Sequence, residues 1–180
     1  MYHDTIESAT QLFGDFGLRL LTTPGSSALQ FRNGALPPEI QVDEGTVSLL
    51  AKLIGVGVQV YDYDDTNHKW VFREPQANLY DVATGVQQGI HFVGPYWADS
   101  AGSRVKGQVT GRADAPNKEN DVPWLKLEVV ERFGSTDLSL QGATFIQRVL
   151  TYGGQAPSAT GPSDRDTIGV PYTALYTFWR

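Results

Sequence analysis

The run Phe145-Ile146-Gln147-Arg148-Val149-Leu150 sets two polar side chains in the middle of an apolar stretch. Successive side chains of a strand point to opposite faces, so one of Gln147 and Arg148 points inward and the other outward. An inward guanidinium without a partner costs several kcal/mol, so a buried Arg148 calls for a carboxylate, with Glu74 and Asp81 as candidates. Arg148 then reads either as a structural ion pair or solvent-facing residue, or as a clamp on an anion or carbonyl oxygen. His91 lies between Ile90 and Phe92 near the end of its strand. It reads either as a satisfied core histidine or as a general acid–base at the mouth of a barrel.

Aromatic residues supply the remaining candidates. Trp97 follows Pro95 by two residues and Trp124 directly follows Pro123. Each is either a packing anchor or a surface on which a ligand stacks. Tyr61, Tyr63, Tyr152 and Tyr176 can offer hydroxyls to a pocket. The candidate set is therefore His91, Arg148 and Tyr176 for catalysis. Gln59, Tyr61, Asp81, Trp97, Trp124, Gln147 and Tyr152 are the candidates for substrate contact. No metal and no cofactor are expected. The three histidines, His3, His68 and His91, form no H-x-H or H-x-x-x-H pair. Neither a G-x-S-x-G elbow nor a phosphate-binding glycine loop is present.

The elements that must position these residues are strands. Val56, Val58 and Val60 alternate with Gly57, Gln59 and Tyr61. Before them Thr46–Ile54 is an apolar run, and further strands are expected at Trp70–Phe72, Asn78–Val82, Gln87–Val93, Arg104–Gly111, Trp124–Glu131, Ala143–Tyr152 and Tyr172–Trp179. No helical pattern separates them, which argues against a parallel sheet. Several strands are apolar on both faces: Tyr172, Ala174, Tyr176 and Phe178 alternate with Thr173, Leu175, Thr177 and Trp179. The expected fold is all-β, a small antiparallel β-barrel or tight β-sandwich of about ten strands. Ile6, Ala9, Phe13, Phe16 and Leu20 recur at helical spacing, with Asp4 as N-cap and Glu7 three residues on. This N-terminal amphipathic helix is expected either to plug one end of the barrel or to act as a lid or homodimer contact. Residues 1–38 then form a helix and linker packed on a barrel domain of residues 39–180.

Bulk properties bound the rest. With 180 residues the chain suits one domain. A net charge of -6 argues against nucleic acid as a partner. Without cysteine there is no disulfide, zinc-thiolate site, iron–sulfur cluster or cysteine nucleophile. The start of the chain lacks a basic region followed by an apolar run, and no run nears the roughly 18 residues of a membrane helix. The expected location is cytoplasmic.

Six segments carry a family resemblance: GVQVY (57–61), WVFREPQANLYD (70–81), GIHFVGPYW (89–97), VPWLKL (122–127), TFIQRVLTYGGQAP (144–157) and GVPYTALYTFWR (169–180). In this order they resemble the domain of unknown function 3455 family of fungi, plants and bacteria, over roughly residues 37–180. The family has no agreed activity. Many members carry a malate dehydrogenase label, which this chain does not support: no G-x-G-x-x-G opens a helix after a strand. Many members also resemble secreted proteins with a leader and a cysteine soon after the GVQVY tyrosine. Here Tyr61-Asp62-Tyr63 occupies that stretch, which implies an intracellular branch.

The leading functional expectation is a small-barrel enzyme without a cofactor. It would bind an apolar oxygenated metabolite and promote cyclisation, isomerisation or elimination, as in secondary metabolism. Arg148 or Gln147 would polarise a carbonyl while His91 or Tyr176 moves a proton. The alternatives are a non-catalytic domain binding a small molecule or carbohydrate, and a structural or stress-related protein.

Overall fold

A computed structural model describes residues 31–134, 139–158 and 167–180. The expected N-terminal helix, and with it the expected dimer contact, lies outside the described residues. Among those residues there are eight strands and no α-helix. They are β1 (Leu49–Asp64), β2 (Lys69–Asp81), β3 (Gln87–Phe92), β4 (Tyr96–Asp99), β5 (Arg104–Ala113), β6 (Trp124–Phe133), β7 (Phe145–Gly153) and β8 (Thr167–Trp179). Each pairs antiparallel with the next, and β8 returns to β1 to close a single ring-like sheet. No helix among the described residues is long and apolar enough to cross a membrane.

The expectation of about ten strands is corrected to eight: two pairs of expected segments are single long strands, and β4 is a short strand that the pattern does not announce. The apolar run before Gly55 and the valine alternation after it are one strand, β1, of 16 residues. Likewise Trp70–Phe72 and Asn78–Val82 are largely one strand, β2, running through Pro75. A bulge at Val60/Tyr61 shifts the register, so that Val60 pairs with Glu74 and Tyr61 with Phe72.

Alternation sorts the two faces. Leu53, Ala77, Leu79, Trp97, Val105, Leu127, Val129, Ile146, Tyr172, Ala174, Tyr176 and Phe178 fill the interior. Two inward glycines make room for its largest rings. A Cβ on Gly55 would stand 2.6 Å from the Tyr176 ring, and one on Gly107 would stand 3.1 Å from Trp97. Gly55→Val is therefore expected to lower unfolding stability by about 1–3 kcal/mol through overpacking. Urea denaturation would measure it, and an unchanged midpoint would show spare room around Tyr176.

The outer wall of β1, β7 and β8 is also buried. Ile54, Val56, Val149 and Leu175 pack there against Leu36 and Ile40. The stretch read from sequence as an irregular linker is, where described, a strap with two short 3-10 turns, Asn33–Ala35 and Pro38–Ile40. Gln147 latches it. Its Nε2 donates to Asn33 Oδ1 at 2.9 Å and to the Ile40 carbonyl at 2.6 Å. Its Oε1 accepts from Thr177 Oγ1 and Trp179 Nε1, both at 2.8 Å. Asn33 in turn grips both backbone polar groups of Val42.

Candidate functional site

The register of β7 against β8 pairs Gln147 with Thr177 and Arg148 with Tyr176. Tyr176 faces the interior, so Arg148 does too, and Gln147 is the outward member of the pair. The expected carboxylate partner of Arg148 is corrected. Among the described residues its Nε and Nη2 donate to the carbonyl of Pro123, at 3.2 and 2.9 Å. Glu74 instead engages Gln76 and Arg73. Asp81 caps its own turn, accepting from the Ala83 and Thr84 amides. A backbone carbonyl satisfies N–H groups but does not neutralise the charge, so the guanidinium projects a positive field into the ring.

Around that charge stand aromatic and amide groups. The Tyr172 and Tyr176 hydroxyls are 3.1 Å apart. The ring of His91 stacks on Trp97 with centroids 4.1 Å apart and planes 11° from parallel. Both rings meet Tyr176 edge-on, at 5.2 and 5.7 Å. His91 Nδ1 lies 2.8 Å from the Tyr96 carbonyl, so this nitrogen carries the proton and donates. Burial, reinforced by Arg148, pushes the His91 imidazolium down to about 3, against the pull of that carbonyl. Burial pushes the phenols of Tyr61 and Tyr176 up and that of Tyr172 well up, while Arg148 opposes the rise in all three. The interior thus holds a neutral imidazole, neutral phenols and one cation.

Two buried interior donors lack an acceptor: Gln59 Nε2 and Trp97 Nε1. Gln59 is aimed at the Tyr172 hydroxyl and opposes the rise of that phenol as a hydrogen-bond donor, in a geometry short of a full hydrogen bond. Buried donors are nearly always paired, so these two are conspicuous.

Over one end of the ring lies an open groove of about 770 Å³, lined by Asn120, Asp121, Tyr152, Gly154, Gln155 and Pro171 among others. Its floor is thin. A Cβ on Gly154 would stand 2.9 Å from Tyr172 Cβ and 3.1 Å from Gln59 Cγ. Gly153 and Gly154 both have left-handed backbones, with φ of 75° and 86°. Tyr61 donates to the Gly154 carbonyl at 2.6 Å, and Asp121 accepts from Gly153 N at 2.7 Å. One glycine therefore separates the groove from Gln59 and Tyr172. A second groove of about 770 Å³ lies beside the strap, lined by Asn33, Glu44, Lys52 and Trp179 among others.

Of the residues singled out from sequence, His91, Arg148, Tyr176, Gln59, Tyr61 and Trp97 come together inside the ring. Gln147 is buried on the outer wall with both amide atoms in use. Trp124 packs on that same wall, Tyr152 is 55% exposed at the groove, and Asp81 lies at the end of β2. Tyr172 was missed, as was the Pro123 carbonyl. The signal for Tyr172 was its spacing of four from Tyr176, which puts both phenols on one face of a strand. Among the described residues no group of three or more side chains is arranged to hold a metal ion.

Residues 44–180 match the sequence model of a family described as a protein of unknown function, DUF3455. The chain belongs to the DUF3455 family. The matched span takes in all eight strands of the ring, so the interior cluster lies wholly within the DUF3455 domain. No curated protein and no solved structure matches this DUF3455 chain.

Proposed function

We propose that this DUF3455 domain is a small β-barrel that binds a mostly apolar, oxygenated small molecule at the Arg148 end of its interior. The molecule would enter from the groove above Gly154. One observation carries the reading: a half-buried guanidinium turned among Tyr61, Tyr172, Tyr176 and His91, with the Pro123 carbonyl and the Tyr176 hydroxyl as acceptors and no carboxylate partner among the described residues. Arg148 is half-buried and lacks a counter-ion among the described residues, and a ligand anion would offset the cost of holding its charge there.

Native mass spectrometry and thermal-shift screening of small oxygenated molecules test the reading, using wild type and Arg148→Met. Methionine keeps length and apolar volume and removes the charge. The expected result is a ligand that stabilises wild type and binds Arg148→Met at least tenfold more weakly, about 1.4 kcal/mol. The unliganded variant should be as stable as wild type or more so. Equal binding to both proteins would refute the site.

A second reading adds turnover by cyclisation, isomerisation or elimination. The Tyr172–Tyr176 hydroxyl pair favours it, since neutral phenols beside a cation can stabilise an oxyanion as it develops. Against it stands His91, whose imidazole is too weak a base at neutral pH to take a proton efficiently. Loss of screened ligand over time in wild type, abolished in Tyr176→Phe, would establish turnover; unchanged ligand would leave binding alone.

A further inference from the structure

We infer that the head group this interior takes is a carboxylate, an acceptor-only anion, carried on an apolar body. The inference rests on the interior site just proposed and adds the chemical class of its ligand.

The argument is a census of the polar atoms that face the cluster. Among the described residues, the donors there that are short of a partner outnumber the acceptors, which are His91 Nε2 and, two residues along β4 from Trp97, Asp99 Oδ2. Gln59 Nε2 and Trp97 Nε1 have no acceptor, and their residues are each only 1% exposed. Arg148 has five N–H groups, against the Pro123 carbonyl and the Tyr176 hydroxyl as acceptors. The Tyr172 and Tyr176 hydroxyls share a single hydrogen bond between them, which leaves one proton to give. Among the described residues Asp121 is the only buried carboxylate, and it is turned to the backbone of Gly153. His91 is neutral, with its Nδ1 proton committed to Tyr96.

An ammonium head group would be repelled by the arginine charge, which the neutral acceptor His91 Nε2 does not offset. An alcohol could accept one hydrogen bond but would bring a donor of its own. A carboxylate has two oxygens and about four lone-pair sites, and it can take a guanidinium side-on together with further N–H and O–H donors. It would also neutralise the one charge that the interior leaves uncompensated. Next to the cluster the core is apolar, with Leu79, Ile146 and Phe178 packed there, so a ligand body that displaced any of it would be hydrocarbon and not a second charge.

The test uses matched sets on one carbocycle: cyclohexanecarboxylate, cyclohexylmethanol and cyclohexylmethylamine, with the corresponding decalin set for a larger body. Each is titrated into the full chain at neutral pH, with Trp fluorescence and thermal shift as readouts. Wild type, Arg148→Met and Gln59→Leu are compared. The expected result is that the carboxylates bind at least tenfold more tightly than the alcohols, that the amines do not bind, and that both variants lose at least tenfold for the carboxylates alone. Alcohols or amines that bind as well as the acids, with Arg148→Met still weakened, would overturn the head-group inference and leave the interior site standing. Carboxylate binding that both variants retain would place the anion elsewhere and overturn the inference. If no member of either set binds while another compound class does so in an Arg148-dependent way, the inference fails but the site stands. If nothing binds, both fail.

Discussion

Gln147→Leu is expected to destabilise the protein by about 3 kcal/mol, which in a domain of this size lowers the melting temperature by roughly 6–12 °C. Leucine fits the volume but offers neither donor nor acceptor. Not all four partners are then stranded. Trp179 Nε1 still reaches Thr177 Oγ1 at 2.9 Å, and Asn33 Oδ1 still accepts from Val42 N at 2.9 Å. The Ile40 carbonyl and the Thr177 hydroxyl proton lose their partners at a site where Ile40 and Thr177 are both 0% exposed. Each stranded group costs about 1–3 kcal/mol. Urea unfolding measures the loss, and hydrogen exchange at Val42 should accelerate as the strap loosens. If Gln147→Leu kept full stability and instead abolished ligand binding, Gln147 would belong to the site and not to the latch.

Mild acid should destabilise the protein through His91. In the unfolded chain a histidine titrates near its ordinary 6.5, whereas the folded protein holds His91 at about 3. Between those values the unfolded state binds a proton that the folded state refuses. The contribution is fully present above about pH 7 and falls by about 1.4 kcal/mol per pH unit below 6.5. At pH 5 the protein should be weaker than at pH 7 by about 2 kcal/mol from this residue. Lys106 and Tyr96 hold the Glu131 carboxyl below its usual range, so its contribution is lost at lower pH and does not mask this window. His91→Phe should be less stable at pH 7, because the Tyr96 carbonyl loses its donor, yet nearly flat down to pH 5. Denaturant midpoints across that range decide the matter, and a parallel acid limb in the variant would exonerate His91.

The class of fold was legible because Val56, Val58 and Val60 in β1 keep a two-residue period, β8 is apolar on both faces, and no helical pattern separates the strands. Strand number was not. Gly55 looks like a terminator in a linear reading, but it interrupts nothing in the backbone and only yields space to Tyr176. Ring closure was legible only as one of two alternatives, barrel or sandwich, since the β1–β8 pairing that decides it joins strands more than a hundred residues apart.

Within the site, alternation required that one of Gln147 and Arg148 face inward but could not say which. The choice is made by register against β8, a long-range fact. The partner of Arg148 was misjudged for a different reason. Charge arithmetic suggested a carboxylate, while the chain supplies a carbonyl at Pro123, and backbone acceptors are invisible to a search by residue type. Two of the substrate candidates, Gln147 and Trp124, are drawn to the outer wall by the strap, whose role the proline- and glycine-rich composition of residues 22–38 concealed.

The latch has a chemical consequence as well as a mechanical one. Asn33 is followed by Gly34, the neighbour that least hinders attack of the next backbone nitrogen on an asparagine side chain. That attack expels ammonia, and hydrolysis of the resulting ring leaves an acid in place of the amide. Here both ends of the Asn33 amide are tied, to Val42 and to Gln147. The side chain cannot swing onto the Gly34 nitrogen without first giving them up. The rate at which this chain ages is then set by how often the strap opens, not by the intrinsic fragility of the dipeptide. Each irreversible conversion leaves a written mark of an opening that has otherwise healed.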